Sequence, residues 1–464
     1  MTKIQNPKRF EHLNFDIASN FDIRISNLIF YFLILFLPTQ LGRHFFTSFS
    51  FVSGVRVDYL SPTIYVSDIL IFLIFVFWIA STRKFLISNF KFLINSKFLI
   101  SKSPIIILVL VLIIGILLSK SPQAGVYGLL KLVEFVFLGF YTAGNIKRLN
   151  FGIVLFLFSI GIIFESFLAI FQYINQTSIG GIFYYFGERT FSGLTPGIAN
   201  ASINGELVLR PYGTFSHPNV LAGFLVIAMT LILSGIKNYE SRIKRIVFIL
   251  TLTIGTIALF LTLGRIAVLI WLITLGVFLF HKFLNHKSYI LILLGVLLIL
   301  VLSTPLGSRF TELKLTDESI VVRKELIKSS FLMVKNNPFF GVGLNNFLIE
   351  LPDYQKIKNY FTNLQPVHNI YLLALSQTGV VGLAFFIWFI GKTYQRIMNH
   401  ELGIRNKKEF IIHNSKFIIL SSVLTLGLFD HYFLTLQQGQ LLFSFILGLC
   451  WSKSKANVIK LFSH

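Results

Sequence analysis

The sequence predicts an all-α polytopic membrane protein with about twelve transmembrane helices and one long extracytoplasmic loop that contains an amphipathic helix. Of its 464 residues, 55% are hydrophobic and only 13% are charged, and the mean hydropathy is +0.76, far from the composition of a soluble domain. Apolar segments long enough to cross a bilayer recur along the chain. One long polar stretch, residues 304–366, interrupts them.

The basic charge of the chain does not indicate nucleic-acid binding. The formal net charge is +22, but Lys and Arg lie in short runs between apolar segments, as in the cytoplasmic loops of membrane proteins. Cys450 is the only cysteine, which excludes a disulfide framework and a Cys-based metal site. We therefore expect membrane lipids, and no nucleic acid, as partners.

Twelve segments have roughly the 20 apolar residues that cross a bilayer. They are residues 24–41, 64–80, 104–119, 124–143, 152–173, 217–236, 246–263, 265–281, 288–303, 367–391, 413–429 and 431–451. We divide the chain into N-terminal helices with the start of a loop (1–203), a core that includes loop 304–366 (204–400), and the last two helices with a tail (401–464).

The distribution of positive charge predicts the orientation of these spans. With the N-terminus in the cytoplasm, the cytoplasmic connections receive about 26 Lys and Arg residues and the short outer connections about 6. This asymmetry predicts an even number of spans, both termini in the cytoplasm, and loop 304–366 on the outer side.

Two charged residues are predicted well inside the membrane. Lys131 in the fourth span and Glu165 in the fifth each lie about 10 to 12 Å from the outer end of their span. Antiparallel neighbouring helices would bring the two side chains level. We expect an ion pair between them, and the alternative is a role in substrate or proton movement.

The connection before the sixth span ends in RPYGTFSHPNVLAGFL, which begins at Arg210. Pro218 fits the first position of a helix, capped by His217 or Ser216. The free amides of such a helix end attract anions, and Arg210 adds a full positive charge. The motif indicates an anion site or, alternatively, a well-capped helix with Arg210 among lipid headgroups.

A second cation lies in the turn LTLGRIAVLI between the seventh and eighth spans. Gly264 is expected to allow the tight reversal, which places Arg265 at the outer boundary. A guanidinium held there suits bidentate binding of phosphate. The alternative is that Arg265 extends to lipid phosphates.

Loop 304–366 is predicted to contain a helix that is capped by Thr316 or Asp317 and ends at Asn337. Its apolar stripe is expected to pack against the membrane helices and consists of Ile320, Ile327, Phe331 and Val334. Its cations lie toward another face and are Arg323, Lys324 and Lys328. Gly341 and Gly343 then permit a turn that approaches either a ligand or a packed helix.

Histidines at the predicted outer face are the candidates for proton transfer. His368, followed by Asn369, opens the tenth span, and an imidazole with a pKa near 6.5 suits a general base. The alternative is that His368 only caps the helix. We interpret His431, beside Asp430 in a tight connection, as structural.

Four segments, in this order, resemble the O-antigen ligase family, which includes O-antigen polymerase-like proteins. They are RPYGTFSHPNVLAGFL, LTLGRIAVLI, RKELIKSSFLMVKNNPFFGVGLNNF and HNIYLLALSQTGVVGL, within residues 210–383. The resemblance implies an inverting, metal-independent glycosyltransferase without a cofactor in the bacterial cytoplasmic membrane. Its donor would be a glycan on undecaprenyl diphosphate, and its acceptor a hydroxyl of the lipid A core, a growing polymer or a protein.

The resemblance also implies roles for residues. His368 would be the base, and the donor diphosphate would be bound by Arg210, Arg265 and Arg323. The supporting residues would be His217, Asn219, Gly341, Gly343 and Asn369. The family often has Ser where this chain has Gly264, which removes one hydroxyl ligand. The outer loops hold no tight Asp/Glu cluster, so the sequence requires no metal.

A transporter or flippase for a lipid-linked glycan is the alternative from another class. Transporters commonly show repeated halves with broken helices and polar sites at the membrane midplane. The sequence shows no such symmetry, and its polar residues of interest gather at one face. A polymerase, which differs from a ligase only in its acceptor, is the alternative among enzymes.

Reporter fusions test the predicted orientation. Fusions after Arg83, Lys244 and Arg405 should report the cytoplasm because basic loops stay on that side. A fusion near Lys314 should report the outer side. A cytoplasmic signal at Lys314 would contradict an active site in the loop.

Overall fold

The computed structural model describes residues 24–93, 103–203, 205–235, 242–282, 318–355, 364–401 and 415–452. The helices in these ranges are α1 Arg24–Phe36, α2 Val66–Leu93, α3 Ser103–Leu118, α4 Pro122–Asn145, α5 Phe151–Asn175, α6 Pro218–Gly235, α7 Arg242–Leu261, α8 Arg265–Lys282, α9 Glu318–Asn336, α10 Phe347–Tyr354, α11 Ile370–Glu401, α12 Ser415–Gly427, α13 Tyr432–Thr435 and α14 Gln437–Trp451. The strands are β1 Gly42–His44, β2 Phe51–Val52, β3 Val55–Arg56, β4 Thr63–Tyr65, β5 Asn200–Ile203 and β6 Glu206–Leu209, paired antiparallel as β1–β4, β2–β3 and β5–β6.

The helices confirm a mainly helical, multi-pass membrane protein. Within the described ranges, α4, α5, α6, α7 and α11 are long and apolar enough to cross a membrane, and further apolar helices are shorter. Every predicted span in these ranges contains a helix, although span 431–451 is divided at Leu436 into α13 and α14, whereas the predicted span 288–303 lies outside these ranges. The count of twelve stays a prediction.

The main core is built around α6, which is buried along almost its entire length. A helix that is apolar on all sides must be covered on all sides. In the described part of the chain, α5, α7, α8 and α12 surround α6. This packing holds Pro218, the first residue of α6, in a fixed position at one end of the bundle, called here the site end.

A second, smaller core lies at the site end and joins α9, α10, the β2–β3 hairpin and the start of α11. The face of α9 in this core is formed by Val322, Leu326 and Met333. Ile327 and Phe331 are exposed, so the predicted packing stripe was wrong. Helix α9 has apolar residues on two sides. Which side is buried depends on the helices and loops that pack against it, and these come from distant parts of the chain.

The turn after α9 packs against the backbone of α11. The Val342 N–H donates to the Ser376 carbonyl at 2.8 Å, and the Gly343 N–H donates to the Gln377 carbonyl at 3.1 Å. Gly341 and Gly343 have positive φ, and a side chain on either would strike neighbouring backbone. Of the two predicted possibilities, close approach to a packed helix is therefore correct.

The predicted ion pair between Lys131 and Glu165 is wrong. Lys131 Nζ lies 2.5 Å from Asp68 Oδ2 and 3.2 Å from Glu134 Oε2, and Glu165 accepts hydrogen bonds from Thr214. Helix α4 packs mainly along α14, whereas α5 packs along α6 and α7. The prediction assumed that consecutive helices are neighbours, which is a frequent but not a general arrangement.

The contact between the turn after α9 and α11 depends on Gly379, which interrupts α11 with φ 66° and ψ −172°. This backbone region is nearly restricted to glycine, and a Cβ at position 379 would overlap the carbonyl group of Phe339. We expect Gly379→Ala to lower the free energy of unfolding by about 1 to 3 kcal/mol, measured by denaturation in detergent.

Gly391→Ala is the matched control, since position 391 lies in the same helix and an added methyl group there would have no atom within 4 Å. It should leave stability unchanged or slightly raised, because Ala favours helix over Gly. Equal stability of the two variants would contradict the proposed close contact at Gly379.

Candidate active site

Side chains from distant parts of the chain meet at the site end. The loop before α6 supplies Arg210 and His217, and α9 supplies Arg323. His368 precedes α11, and His431 precedes α13. Burial is the main cause that lowers the pKa of all three histidines, and Arg323 contributes to each shift, as expected for side chains that lie near one another.

Two polar side chains of α5 hold the loop that carries Arg210. Gln172 Oε1 accepts hydrogen bonds from the N–H groups of Tyr212 and Gly213 at 2.9 and 2.8 Å. Glu165 accepts from the Thr214 N–H at 2.8 Å and from its hydroxyl at 2.6 Å. These buried groups are satisfied by one another, so they give the loop a single conformation.

Arg210 is connected to Asp430 through one amide side chain. Arg210 Nη2 donates to Asn219 Oδ1 at 2.6 Å, and Asn219 Nδ2 donates to Asp430 Oδ2 at 3.0 Å. Asn219 therefore hydrogen-bonds the guanidinium of Arg210 on one side and the carboxylate of Asp430 on the other. Arg210 is only 8% exposed, so its guanidinium has lost most of its hydration, and hydrogen bonds such as this one offset that cost.

Arg210 also contacts the turn that leads into Arg265. Its Nε donates to the Thr262 carbonyl at 2.8 Å, three residues before Arg265. The left-handed residue of this turn is Leu263, with φ 54°, next to Gly264, which was predicted to allow the reversal. Gly264 instead allows close packing on Ala222 of α6, whose Cβ would lie 3.2 Å from an added Cβ. Arg265 is the first residue of α8.

His217 caps α6, as one of the two predicted caps. Its carbonyl accepts from the N–H groups of Val220 and Leu221, and its Nδ1 accepts from the Asn219 N–H at 3.1 Å. An accepting Nδ1 carries no proton, so the neutral ring carries its proton on Nε2. His217 thus keeps one N–H donor beside Arg210.

His368 does not cap α11, because Asn369 does. Asn369 Oδ1 accepts from the N–H groups of Tyr371 and Leu372, both at 2.9 Å. His368 Nδ1 is buried and has no hydrogen-bond partner among the described residues. Such an unpaired buried nitrogen is uncommon in proteins and indicates a site for a missing partner.

His431 belongs to the same cluster as His368, although the sequence indicated a structural role. The two imidazole rings are 5.2 Å apart and nearly perpendicular. His431 Nδ1 lies 2.7 Å from the Thr435 hydroxyl, and its Nε2 lies 4.0 Å from Asp430 Oδ1. Its place beside Asp430 in the sequence was the signal, but only the fold brings this pair to His368.

Two further residues of the site were missed by the sequence analysis. Tyr59, next to the β2–β3 hairpin, packs edge-on against His431 with ring centroids 5.6 Å apart. Arg189 donates to the Ser216 carbonyl at 2.8 Å and lies 5.3 Å from the ring centroid of Tyr212. Both lie in connections between membrane helices, and no local pattern distinguished them.

Burial and mutual charge set the protonation of the cluster. Burial, followed by the charge of Arg210, lowers the pKa of His217 to about 3. Burial, followed by His431, lowers the pKa of His368 to about 3. Burial alone would raise the pKa of Asp430, but the nearby histidines lower it to about 2. At neutral pH the site therefore holds neutral imidazoles, one carboxylate and several guanidinium groups.

A metal ion would find ligand types here but an unfavourable field. The donor atoms of His368, Asp430 and His431 lie within 4.8 Å of one another. Imidazole and carboxylate are common metal ligands. However, Arg323 acts on the same histidines, and its positive charge opposes a second cation. The arrangement suits an anion better.

These features define a polytopic membrane protein with a cationic, histidine-containing site at one end of its helices. Residues 246–387 match the family model described as O-antigen ligase. The matched segment includes Arg265, Arg323 and His368, whereas Arg210 and His431 lie outside it. No curated protein sequence matches the chain.

The match confirms the resemblance found in the sequence. Together with the membrane helices, it supports a membrane function of the O-antigen ligase or polymerase type, in a family of enzymes. Such a family implies a lipid-linked glycan donor and a glycan acceptor.

The buried histidines predict a loss of stability in mild acid. Their folded pKa values are lower than the value near 6.5 of an unfolded chain, so their contribution is complete above about pH 6.5 and decreases as the pH falls toward 3. The contribution of Asp430 is lost only as the pH falls from about 4 toward 2. We expect the melting temperature in detergent to fall from pH 7 to pH 5, and to fall less in His217→Gln.

The control is His44→Gln, which removes an exposed histidine on β1. It should follow the wild type across the pH range. An equally steep fall in His217→Gln and the wild type would contradict the buried, neutral state of His217.

Proposed function

We propose that the protein transfers a glycan from undecaprenyl diphosphate to an acceptor hydroxyl at the outer face of the bacterial cytoplasmic membrane, with both termini in the cytoplasm. The reaction would be inverting and would need no metal. The observation that carries the proposal is the unpaired, buried Nδ1 of His368, in a histidine cluster on which Arg323 acts. A base beside an anion site is what displacement of a sugar from diphosphate requires.

Arg210, Arg265 and Arg323 are the proposed ligands of the donor diphosphate. Arg210 precedes α6 and bonds the Thr262 carbonyl, in the turn that ends at Arg265, the first residue of α8; the free amides of helix N-terminal ends favour anions. Arg323 is half-buried and has no hydrogen-bond or ion-pair partner among the described residues. Diphosphate would supply its missing partner and stabilise the leaving group as the sugar departs.

His368 is the proposed general base. The acceptor oxygen attacks the anomeric carbon, the bond from that carbon to the diphosphate oxygen breaks, and His368 takes the proton of the acceptor hydroxyl. A pKa of about 3 makes the imidazole a weak base before the donor binds. Diphosphate adds negative charge and offsets Arg323, and both effects raise the pKa of His368 toward neutrality. Donor binding thereby activates the base.

The remaining predicted site residues have supporting roles in this proposal. Asn219 orients Arg210, and His217 offers its Nε2–H to the donor. Asn369 begins α11 directly after the base, while Gly341 and Gly343 dock the turn that follows α9. Asp430 and His431 would keep the His368 imidazole in the position in which it accepts the proton.

A polymerase would use the same chemistry with the end of a second glycan as the acceptor, and the family match covers both types. A transporter is less well supported. Transporters of this size place their polar site near the membrane midplane. Here the cluster lies at helix ends and in loops, as surface chemistry requires.

The variant His368→Asn tests the base. Because Asn369 caps α11 on its own, the substitution removes the imidazole and leaves the helix start intact. We expect transfer to fall by about 10² to 10⁴, the usual contribution of a general base, with donor binding retained. Transfer and donor binding are measured separately on purified protein with a lipid-linked donor.

Arg265→Ala is the comparison variant and should lose both donor binding and transfer, and Arg265→Lys should still impair transfer because it lacks the bidentate fork. Transfer within about tenfold of the wild type in His368→Asn would exclude His368 as the base. Full activity of Arg265→Ala would exclude that arginine as a donor ligand.

A further inference from the structure

A second cationic site lies at the opposite end of the bundle. Arg396 lies on the part of α11 that follows Gly379, roughly 24 Å along the helix from residue 380 at 1.5 Å per residue. A groove of about 470 Å³ opens there between α11 and the end of α14. Its lining consists of Lys392, Gln395, Arg396, Asn399 and Trp451. Two of these side chains are cations and none is an acid.

The wall of this groove is held rigidly. Trp451 Nε1 donates to the Thr393 hydroxyl at 2.8 Å, and its ring stacks on Phe389 with centroids 5.7 Å apart and planes 4° apart. The guanidinium of Arg396 lies 5.0 Å from the indole centroid, within the range of a cation–π contact. The groove is therefore preorganised and does not need to form around a ligand.

Arg396 has hydrogen-bonding capacity left over. Its Nε is buried and has no hydrogen-bond partner among the described residues. Lys392 uses one of its three N–H groups on Gln395 Oε1 at 3.0 Å. An anionic oxygen in the groove would satisfy the guanidinium and receive a second charge-assisted hydrogen bond from the lysine.

We propose that this groove binds the phosphate group of an anionic membrane lipid. Basic grooves between transmembrane helices recognise such headgroups, and tryptophan beside a cation is typical of the membrane boundary. A lipid whose phosphate is held by Arg396 and Lys392 of α11 also lies against Trp451 of α14, so it contacts both helices. These helices begin at the active-site end, next to His368 and shortly after His431, so the lipid braces the pair that carries the base.

The experiment uses full-length protein in nanodiscs of phosphatidylcholine with increasing phosphatidylglycerol. Native mass spectrometry counts the phosphatidylglycerol that stays bound, and melting temperature checks the fold. The wild type should retain this lipid, and Arg396→Gln should bind it about fivefold more weakly, the effect of losing one cation near a membrane surface. Lys392→Gln should weaken binding by a similar factor.

Lys147→Gln is the matched control, because Lys147 is an exposed cation at the same end of the bundle, between α4 and α5. It should bind phosphatidylglycerol as the wild type does. Inorganic phosphate, added to protein in phosphatidylcholine alone, distinguishes a lipid from free phosphate. An unchanged melting temperature supports the lipid. A rise in melting temperature that Arg396→Gln abolishes shows that free phosphate is bound instead, and contradicts the lipid. Equal retention in Arg396→Gln and the wild type, or an equal loss in Lys147→Gln, would overturn the proposal.

Discussion

The hydrogen-bonded chain from Arg210 through Asn219 to Asp430 is the interaction on which the rest of the site depends. It joins the loop before α6, the first turn of α6 and the connection before α13. A buried guanidinium and a buried carboxylate are each costly to desolvate, and one amide satisfies part of both. Because Asp430 is held in this way, His431 next to it is held against His368 as well.

This arrangement is possible only because the membrane helices carry polar groups where they are needed. Glu165 and Gln172 lie on α5, among otherwise apolar packing. Both side chains accept hydrogen bonds that residues 212–214, in the loop before α6, donate. Intramembrane polar groups are expensive, so they persist where they fix something. Here they fix the loop that delivers Arg210, which replaces the ion pair expected from the sequence.

The sequence predicted the helices well, because their signal is local, and it pointed to the candidate site residues by their positions next to apolar runs. A run of apolar residues predicts a span by itself, and Arg210, Arg265 and His368 each stand at the end of such a run. What it could not predict are relations between distant segments. The packing of α4 on α14, the buried face of α9 and the approach of His431 to His368 all depend on which helices become neighbours.

Local geometry produced smaller differences for the same reason. The capping role of Asn369 corrects the role considered for His368, and the reversal expected at Gly264 has its left-handed residue at Leu263. The capping role of Asn369 matters for the chemistry, because His368 is then not needed to cap the helix. A buried imidazole with an unpaired Nδ1 lowers stability, and proteins commonly retain such costly groups where function requires them. Burial, then His431 and to a smaller extent Arg323, keep that imidazole neutral, and in the proposed function the negative charge of a bound diphosphate would raise its pKa.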